Sequence, residues 1–182
     1  MNAYIKMFKF SKGDFIFLLD SDDMFFKKKI STIVKLYVKN INLNFIQEVP
    51  KNFSYKKNNF FLSKWPYFSS TSRLSFRRNF FEDFLNSQKN FSIDFKEVWL
   101  DFRLCAYAFF KRKSFLSCDQ YMTYYYTNLN SNQSKKYKKF SSSWFSRRYF
   151  SHLYVNYLTR NQKYNINLDF FLTKTIYKII KK

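Results

Sequence analysis

The stretch DFIFLLDSDD, residues 14 to 23, joins an apolar run to a cluster of carboxylates. Five consecutive apolar residues, Phe15–Leu19, lead directly into Asp20, Asp22 and Asp23. An apolar run of this length between polar residues predicts a β-strand that is buried on both faces. In an open α/β sheet, ligands bind just beyond the carboxyl ends of such strands. The stretch therefore predicts a central strand whose tip carries a binding site.

The carboxylates at this tip have the pattern D-x-D-D. Asp20 and Asp22 are one residue apart, so both can face one site where the strand breaks into a turn. Hard oxygen ligands suit Mg²⁺ or Mn²⁺, and such a cation commonly bridges to a nucleotide diphosphate. An EF-hand is disfavoured, because the loop has no glycine at its sixth position and no glutamate at its twelfth. Acidic loops also serve as helix caps, so the pattern alone does not define a metal site.

The chain as a whole is strongly basic. Its 182 residues include 33 Lys and Arg against 12 Asp and Glu, a net charge of +21. This excess predicts attraction to an anionic partner, which could be nucleic acid, an acidic membrane surface or a phosphate-bearing substrate. Genes with AT-rich codons also encode many Lys, Asn, Ile and Phe residues, so codon bias is an equally good explanation of the charge.

Several classes of protein are disfavoured by what the sequence lacks. Cys105 and Cys118 fit no zinc-binding spacing, and we expect both to be reduced core residues of a cytosolic protein. His152, the one histidine, is expected to be a packed or solvent-facing residue and not a ligand. No apolar run approaches the length of a membrane span, and the N-terminal residues do not form a secretory signal. We therefore expect a cytoplasmic location.

Hydrophobic periodicity predicts the other elements of an α/β domain. A helix should follow the acidic loop, because apolar residues recur at helical spacing from Ile30 to Val38, with lysines such as Lys29 on or near the opposite face. Asn79 and Glu82 have the spacing of a capping box at the start of another helix. The further helices are predicted at 3–10, 79–85, 98–110 and from about 135 onward, and the further strands at 43–49, 74–76, 115–118 and 122–126.

The C-terminal part is predicted to be a basic amphipathic helical tail, residues 136–182, following a domain at residues 1–135. In its last helix, apolar residues from Leu168 to Ile180 lie on one side, and Lys174 and Lys178 follow the other. Such a helix can lie on an anionic bilayer surface. The alternative is that it packs on the domain.

Four segments, in order, resemble family 2 glycosyltransferases, which have the GT-A fold. Residues 11–34, SKGDFIFLLDSDDMFFKKKISTIV, closely resemble the strand, DXD loop and following helix of this family. The resemblance continues through STSRLSFRRNFFEDF (70–84), KEVWLDFRLCAYAFF (96–110) and YMTYYYTNLNSNQS (121–134). It covers roughly residues 3 to 135, in the order and about the spacing that the family has, which makes it far more specific than the DXD pattern alone.

The resemblance implies transfer of a sugar from a nucleotide-sugar donor to a saccharide or lipid-linked acceptor, as in surface-polysaccharide assembly. It implies a partial GT-A-like sheet with flanking helices. Asp20 and Asp22 would hold Mg²⁺ or Mn²⁺ on the donor diphosphate, with Asp23 as a neighbouring ligand. The metal offsets the charge that develops on the leaving diphosphate. The basic tail would then suit peripheral contact with the acidic inner face of the cytoplasmic membrane.

An inverting transfer also needs a base for the acceptor hydroxyl. The family usually carries it in a Glu-Asp pair before a Trp, whereas this chain has Glu97 and a valine before Trp99. Glu97 is the first candidate base and Asp101 the second. Glu97 could equally be a carboxylate that interacts with a helix N-terminus, and Asp101 could form an ion pair with Arg103. Thr127 follows Tyr126 where the family often has Tyr-Arg, which removes a guanidinium that could bind phosphate.

The resemblance starts one short helix before the DXD strand. We therefore expect the N-terminal, nucleotide-binding half to come from a separate polypeptide, or the chain to be a truncated product without activity of its own. Two alternatives remain open. One is a basic nucleic-acid-binding protein, whose aromatic residues would stack bases while its lysines neutralise phosphates. The other is a non-catalytic remnant of the glycosyltransferase fold.

Overall fold

A computed structural model describes residues 2–49, 67–89, 95–112, 114–124, 137–159 and 168–181. The helices are α1 (Asn2–Phe10), α2 (Lys29–Lys39), α3 (Arg78–Gln88), α4 (Leu100–Tyr107), α5 (Ser142–Leu158) and α6 (Leu168–Ile180). The strands are β1 (Phe15–Phe17), β2 (Met24–Phe25), β3 (Phe45–Glu48), β4 (Leu74–Arg77), β5 (Phe115–Cys118) and β6 (Thr123–Tyr124). A 3₁₀ turn, Thr71–Arg73, precedes β4, and a π-helical turn, Ala108–Arg112, continues α4.

The described strands form one mixed four-stranded sheet and one short ribbon. The order in the sheet is β1-β4-β3-β5, in which β1–β4 and β4–β3 are antiparallel and β3–β5 is parallel. The ribbon pairs β2 with β6, so it joins the segment after the acidic loop to the chain after β5. The mixed α/β class predicted from the sequence is therefore confirmed.

Helices cover both faces of the sheet. Alternate residues of β3 point to opposite sides, since Phe45 joins a large apolar cluster with α3, α4 and α5, while Ile46 joins a smaller cluster with Ile33 and Tyr37 of α2. Residues of β1 divide in the same way, with Ile16 against the large cluster and Phe17 against the small one. Apolar groups on both faces explain why these strands read as continuous apolar runs.

The predicted position of β1 was wrong in one respect. Within the described sheet β1 lies at an edge, pairs with β4 alone and has three half-buried residues, whereas the sequence predicted a central, fully buried strand. The strand is also short, because Leu18 and Leu19 lie beyond it and Leu19 is exposed. Coverage of both faces, and not a central position, accounts for the apolar run.

Two further local predictions were wrong. Lys29, expected on or near the solvent side of α2, is buried, with 1% of its surface exposed. The N-cap residue of α3 is Arg77, whose side chain forms no capping hydrogen bond, and Asn79 lies inside the helix. The reason is that β4 runs directly into α3, so the end of the strand sets the start of the helix.

Most of the other elements agree with the periodicity. The helices at α1, α2 and α4 and the strands β3, β4 and β5 are confirmed, and Cys105 and Cys118 are buried free thiols as expected. The predicted boundary after residue 135 lies outside the described residues, as do residues 125 and 126 of the last predicted strand. Tyr154 and Val155 of α5 belong to the same large cluster as α3 and α4.

Candidate functional site

The acidic loop turns sharply after β1. The backbone N–H of Asp23 donates to the carbonyl of Asp20 at 3.1 Å, which closes the turn. The N–H of Asp20 donates to the hydroxyl of Ser72 at 2.8 Å, so the 3₁₀ turn before β4 holds the loop in place. Asp20 is half-buried, Asp22 is exposed and Asp23 is buried.

The three carboxylates are close enough to affect one another. Burial, followed by the charges of Asp23 and Asp22, raises the pKa of Asp20, and a hydrogen bond with Thr71 acts in the opposite direction. Repulsion between neighbouring carboxylates is relieved when a cation or a proton is bound. The loop is therefore an anionic site that favours a positive ligand.

A buried polar network connects this loop to the sheet. The Lys29 ammonium lies 2.6 Å from a Glu48 carboxylate oxygen and donates to the carbonyl of Ser72 at 2.6 Å and the hydroxyl of Thr123 at 2.7 Å. Glu48 also accepts from the backbone N–H of Met122 at 2.9 Å. Burial lowers the pKa of Lys29, while Glu48 opposes that shift. The network joins α2, β3, β6 and the 3₁₀ turn that binds Asp20.

Asp101, in the first turn of α4, lies near the loop. Its carboxylate accepts from the N–H of Phe102 at 2.6 Å. Burial raises its pKa to about 6, with the charge of Asp20 adding to the increase and Arg147 acting against it. Asp20 and Asp101 also both raise the pKa of Tyr4, after burial, the largest cause. The structure thus brings together two carboxylates that are 81 positions apart in the chain.

A cleft of about 340 Å³ opens beside Asp101. Its lining includes Arg73 of the 3₁₀ turn, Trp99 and Phe102. The Arg73 guanidinium donates to the hydroxyl of Tyr121 and lies 4.4 Å from the centre of that ring. The cleft therefore combines a carboxylate, a guanidinium and an indole, and its Arg73 comes from the 3₁₀ turn that binds the acidic loop.

Glu97 lies two residues before Trp99, in the segment that precedes α4. Its carboxylate accepts from the hydroxyl of Tyr137 at 3.0 Å. Its charge reaches Arg147 of α5, whose guanidinium carbon lies 3.9 Å from the centre of the Trp99 ring. The charge of Asp20 acts on Asp101, whereas Glu97 is hydrogen-bonded to Tyr137.

The loop residues match the preferences of a hard divalent cation. Mg²⁺ is commonly bound by one or two carboxylates and completes its shell with waters and substrate phosphates. Asp20 and Asp22 are able to supply such a pair of carboxylates. Within the described ranges, however, no three His, Cys, Asp or Glu side chains are arranged to hold a metal ion on their own.

None of the helices in the described part of the chain has the length and apolar character that a membrane span requires. Compared with known proteins, the chain matches no protein-family model and no curated protein.

The sequence singled out Asp20, Asp22, Asp23, Asp101 and Glu97, but it did not reveal the groups that position them. Thr71 and Ser72 lie in segment 70–84, whose resemblance to the family predicted no role for either residue. Lys29 is four residues before Ile33 and eight before Tyr37, the spacing of one helix face, and this is the only sign of its burial in the sequence. The spacing does not reveal that Glu48 is its partner. Trp99 is 40% exposed and lines the cleft.

Proposed function

We propose that this chain carries the donor-metal loop and the catalytic base of a nucleotide-sugar-dependent glycosyltransferase with a GT-A-like fold. The observation that carries the proposal is that the N–H of Asp20, in the loop after β1, binds Ser72 of the 3₁₀ turn, while Arg73 of the same turn and Asp101 of α4 line one cleft. The charge of Asp20 also raises the pKa of Asp101. A transferase of this kind needs a metal-holding carboxylate and a base at one site, and this pair meets the requirement.

In this proposal Asp20 and Asp22 hold Mg²⁺ or Mn²⁺, with Asp23 beside them. The bound cation supplies Lewis-acid stabilisation of the charge that develops on the leaving diphosphate. Arg73, which lines the cleft that contains Asp101, offers a guanidinium to phosphate oxygens. The basic groups and the acidic loop are thus complementary parts of one site.

Asp101 is the stronger candidate for the general base. A pKa of about 6 leaves its carboxylate ionised at neutral pH yet basic enough to accept a proton from an acceptor hydroxyl. Glu97, the first candidate from the sequence, accepts a hydrogen bond from Tyr137, and its charge acts on Arg147. We therefore assign Glu97 to positioning of Tyr137 and Arg147 beside Trp99.

We also propose peripheral contact between α6 and an anionic membrane, with the protein on the cytoplasmic side. Asp169, Phe170 and Thr173 are the buried residues of this helix, whereas Phe171 and Leu172 are exposed. Further exposed apolar residues on it are Leu168, Ile179 and Ile180. The helix also carries Lys174 and Lys178, and Lys181 follows it directly, so that the three lysines complement anionic headgroups. A lipid-linked acceptor would be delivered at such a surface.

The test of the proposed function is calorimetric titration of the purified protein with UDP and GDP, with and without Mn²⁺. We expect binding that requires the metal and is lost in Asp20→Ala and Asp22→Ala. Asp14→Ala removes the same charge from an exposed residue just before β1 and should bind like wild type. Failure of the folded protein to bind either nucleotide, or equal binding without Mn²⁺, would contradict a donor site in this chain.

A parallel titration with a single-stranded oligonucleotide distinguishes the nucleic-acid alternative. Binding whose affinity falls steeply with salt, and that is unchanged in Asp22→Ala, would favour a nucleic-acid-binding protein. A remnant of the fold would bind neither nucleotides nor oligonucleotides.

A further inference from the structure

Arg147 contacts two aromatic rings and lines a second cleft. Its guanidinium carbon is 3.9 Å from the centre of the Trp99 ring and 4.4 Å from that of Tyr137, and these rings meet edge to face at 5.5 Å. Stacking on an indole holds a planar guanidinium in a fixed orientation while leaving its edges available for hydrogen bonds.

The charge of Arg147 is only partly compensated. In the described part of the chain, its Nη1 is buried without a hydrogen-bond partner, and no carboxylate forms an ion pair with it. Burial lowers the pKa of Arg147, while Tyr137, Asp101 and Glu97 act against that shift. A buried donor without a partner is costly to stability and commonly marks a functional site.

The next residue, Arg148, shows the contrasting arrangement. It donates to the carboxylate of Asp169 through two nitrogens, one of them at 3.0 Å. The same carboxylate lies 2.9 Å from the ring nitrogen of His152. Arg148 thus has a structural partner on α6, and Arg147 is the guanidinium left to interact with a ligand.

The cleft at Arg147 has a volume of about 190 Å³. It is lined by Trp99, Phe102, Trp144, Arg147, Arg148 and Ser151. Trp99 and Phe102 also line the larger cleft that contains Asp101, so the two clefts adjoin. Two indoles provide flat apolar surfaces on which the C–H face of a sugar ring can stack, and the guanidinium matches a carboxylate or phosphate.

We infer that this second cleft binds a saccharide that carries an anionic group, with the carboxylate or phosphate on Arg147 and the sugar ring against Trp99 and Trp144. The assignment of this saccharide as the acceptor rests on the proposed function, because the adjoining cleft contains the proposed base Asp101. The binding itself does not depend on a donor nucleotide or a metal ion.

The experiment measures saturation-transfer NMR from the protein to glucuronate, glucose 6-phosphate and glucose, without nucleotide or divalent metal. We expect both anionic sugars to bind about tenfold more tightly than glucose, the gain typical of a charge-assisted hydrogen bond. The tighter of the two anionic sugars identifies the preferred anion. Equal binding of glucose, or binding of acetate and inorganic phosphate as tight as that of the sugars, would overturn the inference.

The variants locate the site. Arg147→Gln should weaken glucuronate binding about tenfold. Arg147→Lys keeps the positive charge but loses the paired N–H donors of the guanidinium, so it should weaken binding less. Lys35→Gln removes one charge from an exposed position of α2 and should have no effect, which controls for the general basic charge. If Arg147→Gln does not fold, Trp144→Leu provides the second test, because it removes a stacking surface and leaves Arg147. Unchanged binding in folded Arg147→Gln or Trp144→Leu would place the sugar elsewhere.

Asp22→Ala separates this inference from the proposed function. Glucuronate binding should be unchanged in that variant, because Asp22 belongs to the acidic loop. If nucleotide binding fails while glucuronate binding still depends on Arg147, the proposed function falls and the saccharide site stands. If metal-dependent nucleotide binding is found and Arg147→Gln has no effect, only the saccharide site falls.

Discussion

Lys29 and Glu48 form a buried ion pair, with 2.6 Å between Nζ and Oε1, and the same ammonium group donates to the carbonyl of Ser72. The hydroxyl of Ser72 accepts from the N–H of Asp20, so Ser72 links the ion pair to the acidic loop. A buried ion pair needs hydrogen-bond partners for its remaining donors and acceptors, because a buried polar group without a partner is destabilising. The geometry of the candidate site therefore depends on residues that do not touch a ligand.

Replacing one partner of this pair should be strongly destabilising. Lys29→Met leaves Glu48 buried without its cation, and we expect the free energy of unfolding to fall by about 3–5 kcal/mol. Urea denaturation measures the change. Lys35→Met alters an exposed lysine of the same helix and serves as the control. The double variant Lys29→Met/Glu48→Gln should recover part of the loss, and a single variant as stable as the control would contradict the role of the pair.

Asp101→Asn should stabilise the protein at neutral pH. The pKa of Asp101 is raised to about 6 in the folded state from an ordinary value of 3.8, so the folded state binds the proton more tightly. Stability should therefore fall as pH rises from about 4 to 6, and the asparagine variant should lack this loss. At pH 7 we expect it to be more stable by roughly 1–3 kcal/mol, at about 1.4 kcal/mol for each pKa unit.

The control for this prediction is Asp14→Asn, which changes an exposed carboxylate. Thermal melts of wild type and both variants between pH 4 and pH 8 provide the comparison. A stability difference between Asp101→Asn and wild type that does not change over this range would show that Asp101 is not ionising in a buried environment.

Asp169 should have the opposite dependence on pH. Although burial acts to raise its pKa, hydrogen bonds from His152 and Arg148 lower it below the ordinary value of 3.8. The stabilisation is then fully present above pH 4 and is lost as pH falls through the lowered pKa. Asp169→Asn should cost about 1.5–3 kcal/mol at pH 7, the range for hydrogen bonds to a charged group. An equal cost at pH 7 and pH 2, measured by urea denaturation, would contradict the ionised partner.

The exposed apolar residues of α6 should determine membrane affinity. We expect Phe171→Ser/Leu172→Ser to reduce sedimentation of the protein with phosphatidylglycerol vesicles and to leave its stability almost unchanged. Val38→Ser, at a residue of α2 that is 72% exposed, controls for loss of surface hydrophobicity elsewhere. Binding should also weaken with salt, because the lysines act through screened charges. Equal binding of the α6 variant and wild type would exclude this helix as the contact.

Local pattern was a good guide to the elements. Apolar spacing predicted α2, α4, β3 and β5, because a residue that must be buried recurs with the period of its own helix or strand. The acidic loop was also predictable from local sequence, because its three carboxylates lie within four consecutive residues. The capping box at Asn79 failed because the neighbouring strand, and not the local spacing, sets where α3 begins.

The amino-acid order alone established the mixed α/β class, the acidic loop after β1 and the strong positive charge. Contacts between distant segments established the rest: the edge position of β1 in the described sheet, the pairing of Lys29 with Glu48, the electrostatic effect of Asp20 on Asp101 and the stacking of Arg147 on Trp99. The physical reason is that periodicity reports how a residue faces within its own element. Burial of a charge depends on whether another element supplies its partner, and no local pattern contains that partner.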